Sequence, residues 1–166
     1  TGESTQHKGV VPDIICPSLL DRDQIGESTL PRALACDTIN PAEYRAGPDL
    51  SAALSQLQER HERRIKNDPD YQYLLATIDY LNELRGKTSV SLREETRRQE
   101  DIAAKQWRLA AENRRRAAKN LPVLTSLEEL DTDNATQAKE QADEQDAALH
   151  EAENILSDFI ALRRGK

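Results

Sequence analysis

The sequence has 166 residues, of which 37% are hydrophobic and 32% charged, and its formal net charge is −7 at pH 7. This charge argues against a general affinity for nucleic acids, because a surface that binds phosphates needs a dominant basic face. The single Phe, single Trp and four Tyr leave most of the packing to Leu, Ile and Ala, so we predict a mainly α-helical fold.

The N-terminal third of the chain differs from the remainder. Its first 17 residues carry a cluster of β-branched side chains between glycine and prolines, which is typical of strand and turn: Val10, Val11, Ile14 and Ile15. Residues 18–48 contain Pro and Gly without a sustained period, which predicts an extended linker with no regular structure beyond short turns, from Ile14 to Pro48. Residues 49–166 are predicted to form a helical domain.

Two helices are predicted at the start of this domain. The first begins near Asp49 and ends at Asn67, and its apolar stripe, in which His61 fills a gap, consists of Leu50, Leu54, Leu57 and Ile65. Asp68 is the predicted N-cap of the second helix, with Pro69 at its first position. This helix ends at Gly86. It has the broadest apolar stripe and is the best candidate for the core: Tyr71, Leu74, Leu75, Ile78 and Leu81.

A third, longer helix is predicted from Leu92 to Lys119. It follows an alternating segment, Thr88 to Leu92, that is compatible with a short strand, and Ser91 and Glu94 have the spacing of a capping box. The start of the helix has no apolar side chain, so we expect it to lie on the outside of the fold, with Trp107 as its anchor. Its narrow apolar seam comprises Ile102, Ala103, Trp107, Leu109, Ala110 and Ala117.

The C-terminal quarter is acidic. Residues 121–166 contain four Lys or Arg against eleven Asp or Glu, whereas residues 93–119 contain nine against five, so the two segments are candidates for electrostatic pairing. Ser126 and Glu129 form a second predicted capping box, which opens a short acidic turn. A loose segment, Asp131 to Asn134, is expected before the last helix. The apolar face of that helix begins at Ala138 and Ala142 and strengthens towards its C-terminus: Ala148, Leu149, Ala152, Ile155, Leu156, Phe159 and Ile160.

The sequence contains no recognisable catalytic or metal-binding constellation. His7, His61 and His150 are far apart on unrelated elements, and we interpret each as a surface or packing residue. We interpret the remaining charge clusters as solvated: Glu94 with Glu95, Glu128 with Glu129, Asp143 with Glu144, and the triplet Arg114, Arg115 and Arg116. No apolar run approaches the roughly 18 residues that a membrane-spanning helix needs. We therefore assign no catalytic, cofactor-binding or metal-ligating residue.

The two cysteines, Cys16 and Cys36, are isolated in sequence and form no CxxC motif. A disulfide between them would close a loop of about 20 residues and stabilise the fold by about 3 kcal/mol. Two separate, partly buried thiols are the alternative that we prefer.

Several motifs resemble those of one protease family. Gly2 to Ile14, GESTQHKGVVPDI, resembles the segment that closes the protease domain of the carboxy-terminal processing proteases. Leu30 to Ile39 resembles the linker of the long, tail-specific form found in Gram-negative bacteria, with Cys36 at a position where that form has Trp. His61 to Leu74 and Ser89 to Leu92 resemble further segments of the same form. The positions of the closing segment that match the family are Ser4, Gln6, Gly9, Val10, Pro12, Asp13 and Ile14.

This resemblance implies a fragment of a periplasmic serine endopeptidase. The family uses a serine–lysine dyad and a peptide-binding domain that recognises apolar C-terminal tails of its protein substrates. Both dyad residues are expected upstream of Thr1, and Lys8 belongs to the closing turn. Residues 1–17 would then end the protease domain, and the helical domain would be an accessory part that is inactive alone, with the upstream protease and peptide-binding domains as its partners.

Two questions remain open at the level of sequence. The first is whether the helical domain braces the protease, shapes substrate entry, or docks a regulatory lipoprotein or a second protomer. The second is whether the chain is instead a free-standing helical adaptor, whose basic third helix and acidic tail bind partner proteins or, weakly, RNA.

Overall fold

The computed structural model describes residues 2, 4–7, 9–20, 25–35, 37–43, 47, 49–129 and 147–164. Most of the described chain is helical, and the predicted mainly α fold is confirmed. The long helices are α1 (Ser51–Ile65), α2 (Pro69–Arg85), α3 (Glu94–Ala118) and α4 (Ala147–Arg164). No helix in this part of the chain is long and apolar enough to cross a membrane.

The junction between α1 and α2 forms as predicted. The Oδ1 atom of Asp68 accepts hydrogen bonds from the backbone N of Asp70 at 2.9 Å and of Tyr71 at 3.1 Å. Pro69 occupies the first position of α2, where its missing N–H leaves no bond unmade. The two helices therefore follow one another after a tight turn.

The helices pack as two pairs joined at α2. Helix α1 packs on α4, and α2 packs on both α3 and α4. Tyr71 is only 1% exposed, and its ring lies edge-on to His61 at a centroid distance of 5.9 Å. The rest of the predicted α2 stripe is half-buried. Among the described residues, the buried apolar side chains are few: Leu57, Tyr71, Ala111, Leu124 and Ala147.

The start of α3 differs from the prediction. Its N-cap is Arg93, which makes no side-chain capping bond, and the Ser91 hydroxyl accepts a hydrogen bond from the backbone N of Arg93 at 3.2 Å. The prediction of a capping box formed by Ser91 and Glu94 is therefore wrong. Residues 87–93 also form no strand, because no described segment of the chain pairs with their backbone.

The apolar seam of α3 is displaced from the predicted one. Its buried residues are Ala111 and Glu112, whereas Ile102, Ala103 and Ala110 are exposed. Helix α3 faces α2 through a half-buried stack in which the rings of Trp107 and Tyr80 lie 3.9 Å apart, at 9° to one another. The N-terminal half of α3 is largely exposed, as its polar sequence predicts.

The N-terminal segment forms turns in place of the expected strand. The backbone N of Gly9 donates to the oxygen of Thr5 at 2.7 Å, and the N of Ile39 donates to the oxygen of Gly2 at 3.0 Å. The described residues between 2 and 17 contain no strand, since this one bridge is their only sheet-like pairing. Gly2, with φ +81, permits this contact, because a Cβ there would lie 2.2 Å from the oxygen of Ile39.

The linker is extended where the structure describes it. A short 3-10 turn, Glu27–Thr29, is its only helical element in those residues. Arg85 Nη2 donates to the backbone oxygen of Leu19 at 2.8 Å, which fastens the linker to the end of α2. Other predictions lie outside the described residues: those for Lys8, Cys36 and the proposed disulfide, Asp131 to Asn134, Ala138, Ala142, and the pair Asp143 and Glu144.

Candidate functional site: a buried ionic clamp

The most concentrated polar site in the described chain joins α1 to α4. Helical spacing brings Arg60, His61 and Arg64 to one side of α1, because residues three and four apart are neighbours on a helix. Glu151 and Asp158 are seven residues, or about two turns, apart on α4 and so share one face. We call these five residues the ionic clamp.

Glu151 is the centre of the clamp. Its side chain is 2% exposed, and its carboxylate accepts from Arg64 Nη2 at 2.7 Å and from Arg64 Nε at 3.0 Å. The same carboxylate lies 2.9 Å from Nδ1 of His61. Because an ionised carboxylate can only accept, Nδ1 carries the hydrogen of that bond.

Asp158 is the second anion of the clamp. Arg60 Nη1 donates to its carboxylate at 2.7 Å, and Arg64 Nη1 donates to its other oxygen. The Arg64 guanidinium therefore bridges both acidic residues of α4. Such a fork-like arrangement fixes orientation as well as charge, which a lysine could not do.

The clamp keeps its carboxylates ionised. Burial raises the pKa of Glu151, but the hydrogen bonds from Arg64 and His61 outweigh it and hold that pKa below its usual range. Burial likewise raises the pKa of Asp158, and the bonds from Arg60 and Arg64 bring it below the ordinary value. The bond to Glu151 raises the pKa of Arg64. At neutral pH the clamp is thus made of opposite charges.

Tyr71 packs against His61 on one side of the clamp. Burial, together with the nearby Cys16 thiol and the charge on Glu151, raises the pKa of Tyr71 to about 12. The phenol therefore keeps its proton at physiological pH and acts as a packing group for His61.

A second ionic cluster joins α2 to α3. The Asp70 carboxylate accepts from Arg115 Nε at 2.5 Å and from Lys119 Nζ at 2.8 Å. Arg115 also contacts Glu112 at 3.2 Å, and its guanidinium lies 5.5 Å from the ring centroid of Tyr73. Burial raises the pKa of Asp70, but the bonds from Lys119 and Arg115 hold it below its usual range.

These pairings differ from the expected one between the basic third helix and the acidic tail. In the described residues, the acidic α4 pairs with the basic face of α1, and the basic end of α3 pairs with Asp70 of α2. The counts of charged residues in each segment did not predict which helices pair. The signal that could have found it is the matching helical spacing of His61 with Arg64 and of Glu151 with Asp158.

The clamp is built for stability rather than for reaction. His61 and Glu151 have side chains only 5% and 2% exposed, so a substrate cannot reach their polar atoms. Within the described part of the chain, no group of three or more His, Cys, Asp or Glu side chains could hold a metal ion.

The other histidines lie apart from the clamp. His150 is exposed on α4, with Nδ1 3.6 Å from Glu153. His7 lies in the N-terminal turn with a positive φ of 69. The structure therefore brings only His61, of the three histidines, into a network of charged side chains.

Comparison with known proteins places this chain in a family. Residues 20–161 match the family described as the C-terminal domain of tail specific protease. The match begins inside the segment predicted as a linker. The tail-specific protease of Haemophilus influenzae is 32% identical over 162 residues, which cover 96% of this chain. The chain spans 22% of the length of that relative.

Proposed function

The chain belongs to the family of C-terminal domains of tail-specific proteases, and from that membership we propose that it is the accessory domain of a periplasmic serine endopeptidase. Since the chain spans 22% of its relative's length, the remainder of such an enzyme would supply the serine–lysine dyad and the peptide-binding domain. The substrates would be proteins with apolar C-terminal tails.

Within that enzyme, we assign the domain the role of a brace. The observation that carries this proposal is the ionic clamp, in which Arg64 holds two acidic residues of α4 and Glu151 is fully withdrawn from water. A network of charge-assisted hydrogen bonds fixes a single arrangement of two helices. A domain that is fixed in one arrangement suits a brace better than a flexible substrate gate.

The chemistry of the described residues supports an accessory role. A hydrolase needs an accessible nucleophile with a base within hydrogen-bonding reach. The one histidine that is paired with a buried carboxylate, His61, is itself buried. We therefore expect the chain by itself to cleave no peptide, and we assign none of its residues to catalysis, to a cofactor or to a metal.

Activity of the full-length protease tests the proposal. The enzyme would be compared with a form that lacks residues 49–166, on an unstructured protein with an apolar C-terminal tail and on a short peptide. A brace predicts that both activities fall together when the domain is removed. Loss of only the protein-cleaving activity would instead indicate a role in substrate entry. Unchanged activity on both would refute the accessory function.

A single substitution distinguishes the bracing role from the effect of removing the whole domain. Glu151→Gln in the full-length protease is expected to lower the temperature at which activity is lost. The matched control is Glu153→Gln on the same helix, because Glu153 is 67% exposed. We expect the control enzyme to behave as wild type. Equal heat sensitivity of the two variants would show that the clamp contributes nothing to the enzyme.

A further inference from the structure

An apolar groove lies on the side of the α1–α4 pair that faces the N-terminal segment. It encloses a cavity of about 330 Å³. Leu54 and Leu57 of α1 form one wall, Leu156 and Phe159 of α4 form the other, and Ile14 and Cys16 form the edge. Among the described residues that line it, only Asp13 carries a charge.

The groove is open on its outer side. Leu57, which lines the groove, is buried, whereas Leu156, which also lines it, is 58% exposed. Large aliphatic side chains left in contact with water at the mouth of an apolar groove are typical of an interaction site. A groove of this volume has room for one or two large apolar side chains of a partner.

The N-terminal segment lies beside the groove and is itself apolar. Residues 13, 14 and 16 line the groove, and the same segment carries Val10, Val11 and Ile15, which are 84%, 56% and 63% exposed. Three large apolar side chains next to the groove-lining residues in sequence are therefore left in contact with water. In the proposed enzyme this segment ends the protease domain, so the upstream body of that domain is connected directly to the edge of the groove.

We propose that this groove receives an apolar segment from the upstream body of the protease domain of the same chain, with residues 10–16, at the end of that domain, lying at the interface. The inference rests on the proposed function and identifies the surface through which the brace acts. Burial of the exposed leucine and valines would supply the hydrophobic part of the contact. The contact is intramolecular, so it forms at a high effective concentration.

Photo-cross-linking in the full-length protease tests this directly. Leu156 is replaced by the photoreactive amino acid p-benzoylphenylalanine, and the cross-linked peptides are mapped by mass spectrometry. The control places the same amino acid at Ser157, which is exposed and lies about 100° further around the helix. We expect the label at 156 to join a segment upstream of residue 1 in the same chain, and the control to give no such product.

The other outcomes each overturn the proposal. A cross-linked product of twice the protein mass would show that a second copy occupies the groove. A product that forms only when cell extract is added would indicate a different protein. The absence of any cross-linked product would show that the groove is exposed to solvent.

A substitution provides the energetic counterpart. Leu156→Glu in the full-length protease is expected to raise the hydrogen-exchange rate of residues 10–16 by about tenfold or more, which corresponds to a loss of about 1.4 kcal/mol. Ser157→Glu introduces the same charge outside the groove and is expected to leave those rates unchanged. Unchanged exchange in Leu156→Glu would refute the contact, whereas the deletion experiment on activity tests the accessory function separately.

Discussion

Glu151 decides how firmly the last helix is held. Its carboxylate is buried and accepts from both Arg64 and His61. We expect Glu151→Gln to lower the free energy of unfolding by about 3 kcal/mol, because breaking a buried ion pair leaves the remaining charge without compensation. Urea denaturation of the 166-residue chain measures this difference.

Glu153→Gln is the matched control, since the same change is made at an exposed position of α4. Its ion pair with His150 has both side chains 67% exposed, and such surface pairs contribute about 0 to 1 kcal/mol. A loss in Glu151→Gln that is no larger than the loss in the control would contradict the structural role of the clamp.

The clamp also predicts a dependence of stability on pH. The pKa values of Glu151 and Asp158 are lowered in the folded chain, so the unfolded chain binds protons more readily. The resulting stabilisation is present above the unfolded pKa values of about 4, and it is lost as the pH falls through the lower folded values. Thermal melts between pH 6 and about pH 2.5 should show a steep loss of stability in acid.

Glu151→Gln is the control for the pH dependence, because the amide does not titrate. The variant starts from a lower stability and should lose less of it between neutral and acidic pH. Parallel melting curves for the variant and the wild type across that range would exclude Glu151 as a source of the acid sensitivity.

At the level of single residues, the sequence predicted local interactions better than distant ones. The cap at Asp68 could be predicted because its partners are two and three residues away. The pair of His61 and Glu151 joins residues 90 positions apart. Their spacing indicates which faces are polar, but not which helices meet, and a histidine within an apolar stripe is compatible with simple packing.

At the level of elements, α3 packs on α2 through Trp107, which the sequence predicted as its anchor, whereas its partner on α2 was not predicted. Trp107 stacks on Tyr80 of α2 at 3.9 Å, although its side chain is only half-buried. We expect Trp107→Ala to lower the free energy of unfolding by about 2 to 3 kcal/mol, which is near the lower end of the range for a large aromatic residue. Denaturant unfolding followed by circular dichroism provides the measurement.

Arg97→Ala and Arg98→Ala test the exposed start of the same helix. Their ion pairs to Glu100 and Glu94 lie at the surface, so each substitution is expected to change stability by less than about 0.5 kcal/mol. If Trp107→Ala is as mild as these two variants, α3 is not anchored through its aromatic stack.

The ends of α3 show why boundaries were harder to predict than helices. Ser91 and Glu94 have the spacing of a capping box, yet Ser91 bonds to the N of Arg93 and the helix begins at Glu94. A short Ser-x-Arg turn competes with the box for the same hydroxyl. The seam also shifted to Ala111, because the rotation of a helix with few apolar residues is set by its neighbour.

For the whole molecule, α4 completes the fold, because the last helix of the chain packs back on the first two. Helix α4 packs on α1 and α2, which precede it by more than 60 residues, and it supplies both anions of the clamp. The mainly helical class could be read from composition. The pairing of the first and last helices could not, because it depends on which surfaces remain uncovered after α2 and α3 have packed.

This role of α4 gives the last prediction. A chain that ends at residue 129 lacks α4, so His61 and Arg64 lose Glu151, and Leu57 loses the apolar wall opposite it. Because α1 would then expose its apolar stripe and Arg64 would lose its acidic partners on α4, we expect the truncated chain to lose cooperative unfolding and to have fewer protected amides in α1. The matched truncation removes residues 1–12, whose described side chains Val10 and Val11 are exposed, and it should leave the melting transition of the helices in place. Circular dichroism melts and hydrogen exchange of both truncated chains measure the difference. A sharp transition near that of the complete chain in the absence of α4 would show that α1, α2 and α3 fold independently, and the clamp would then only attach α4 to an existing domain.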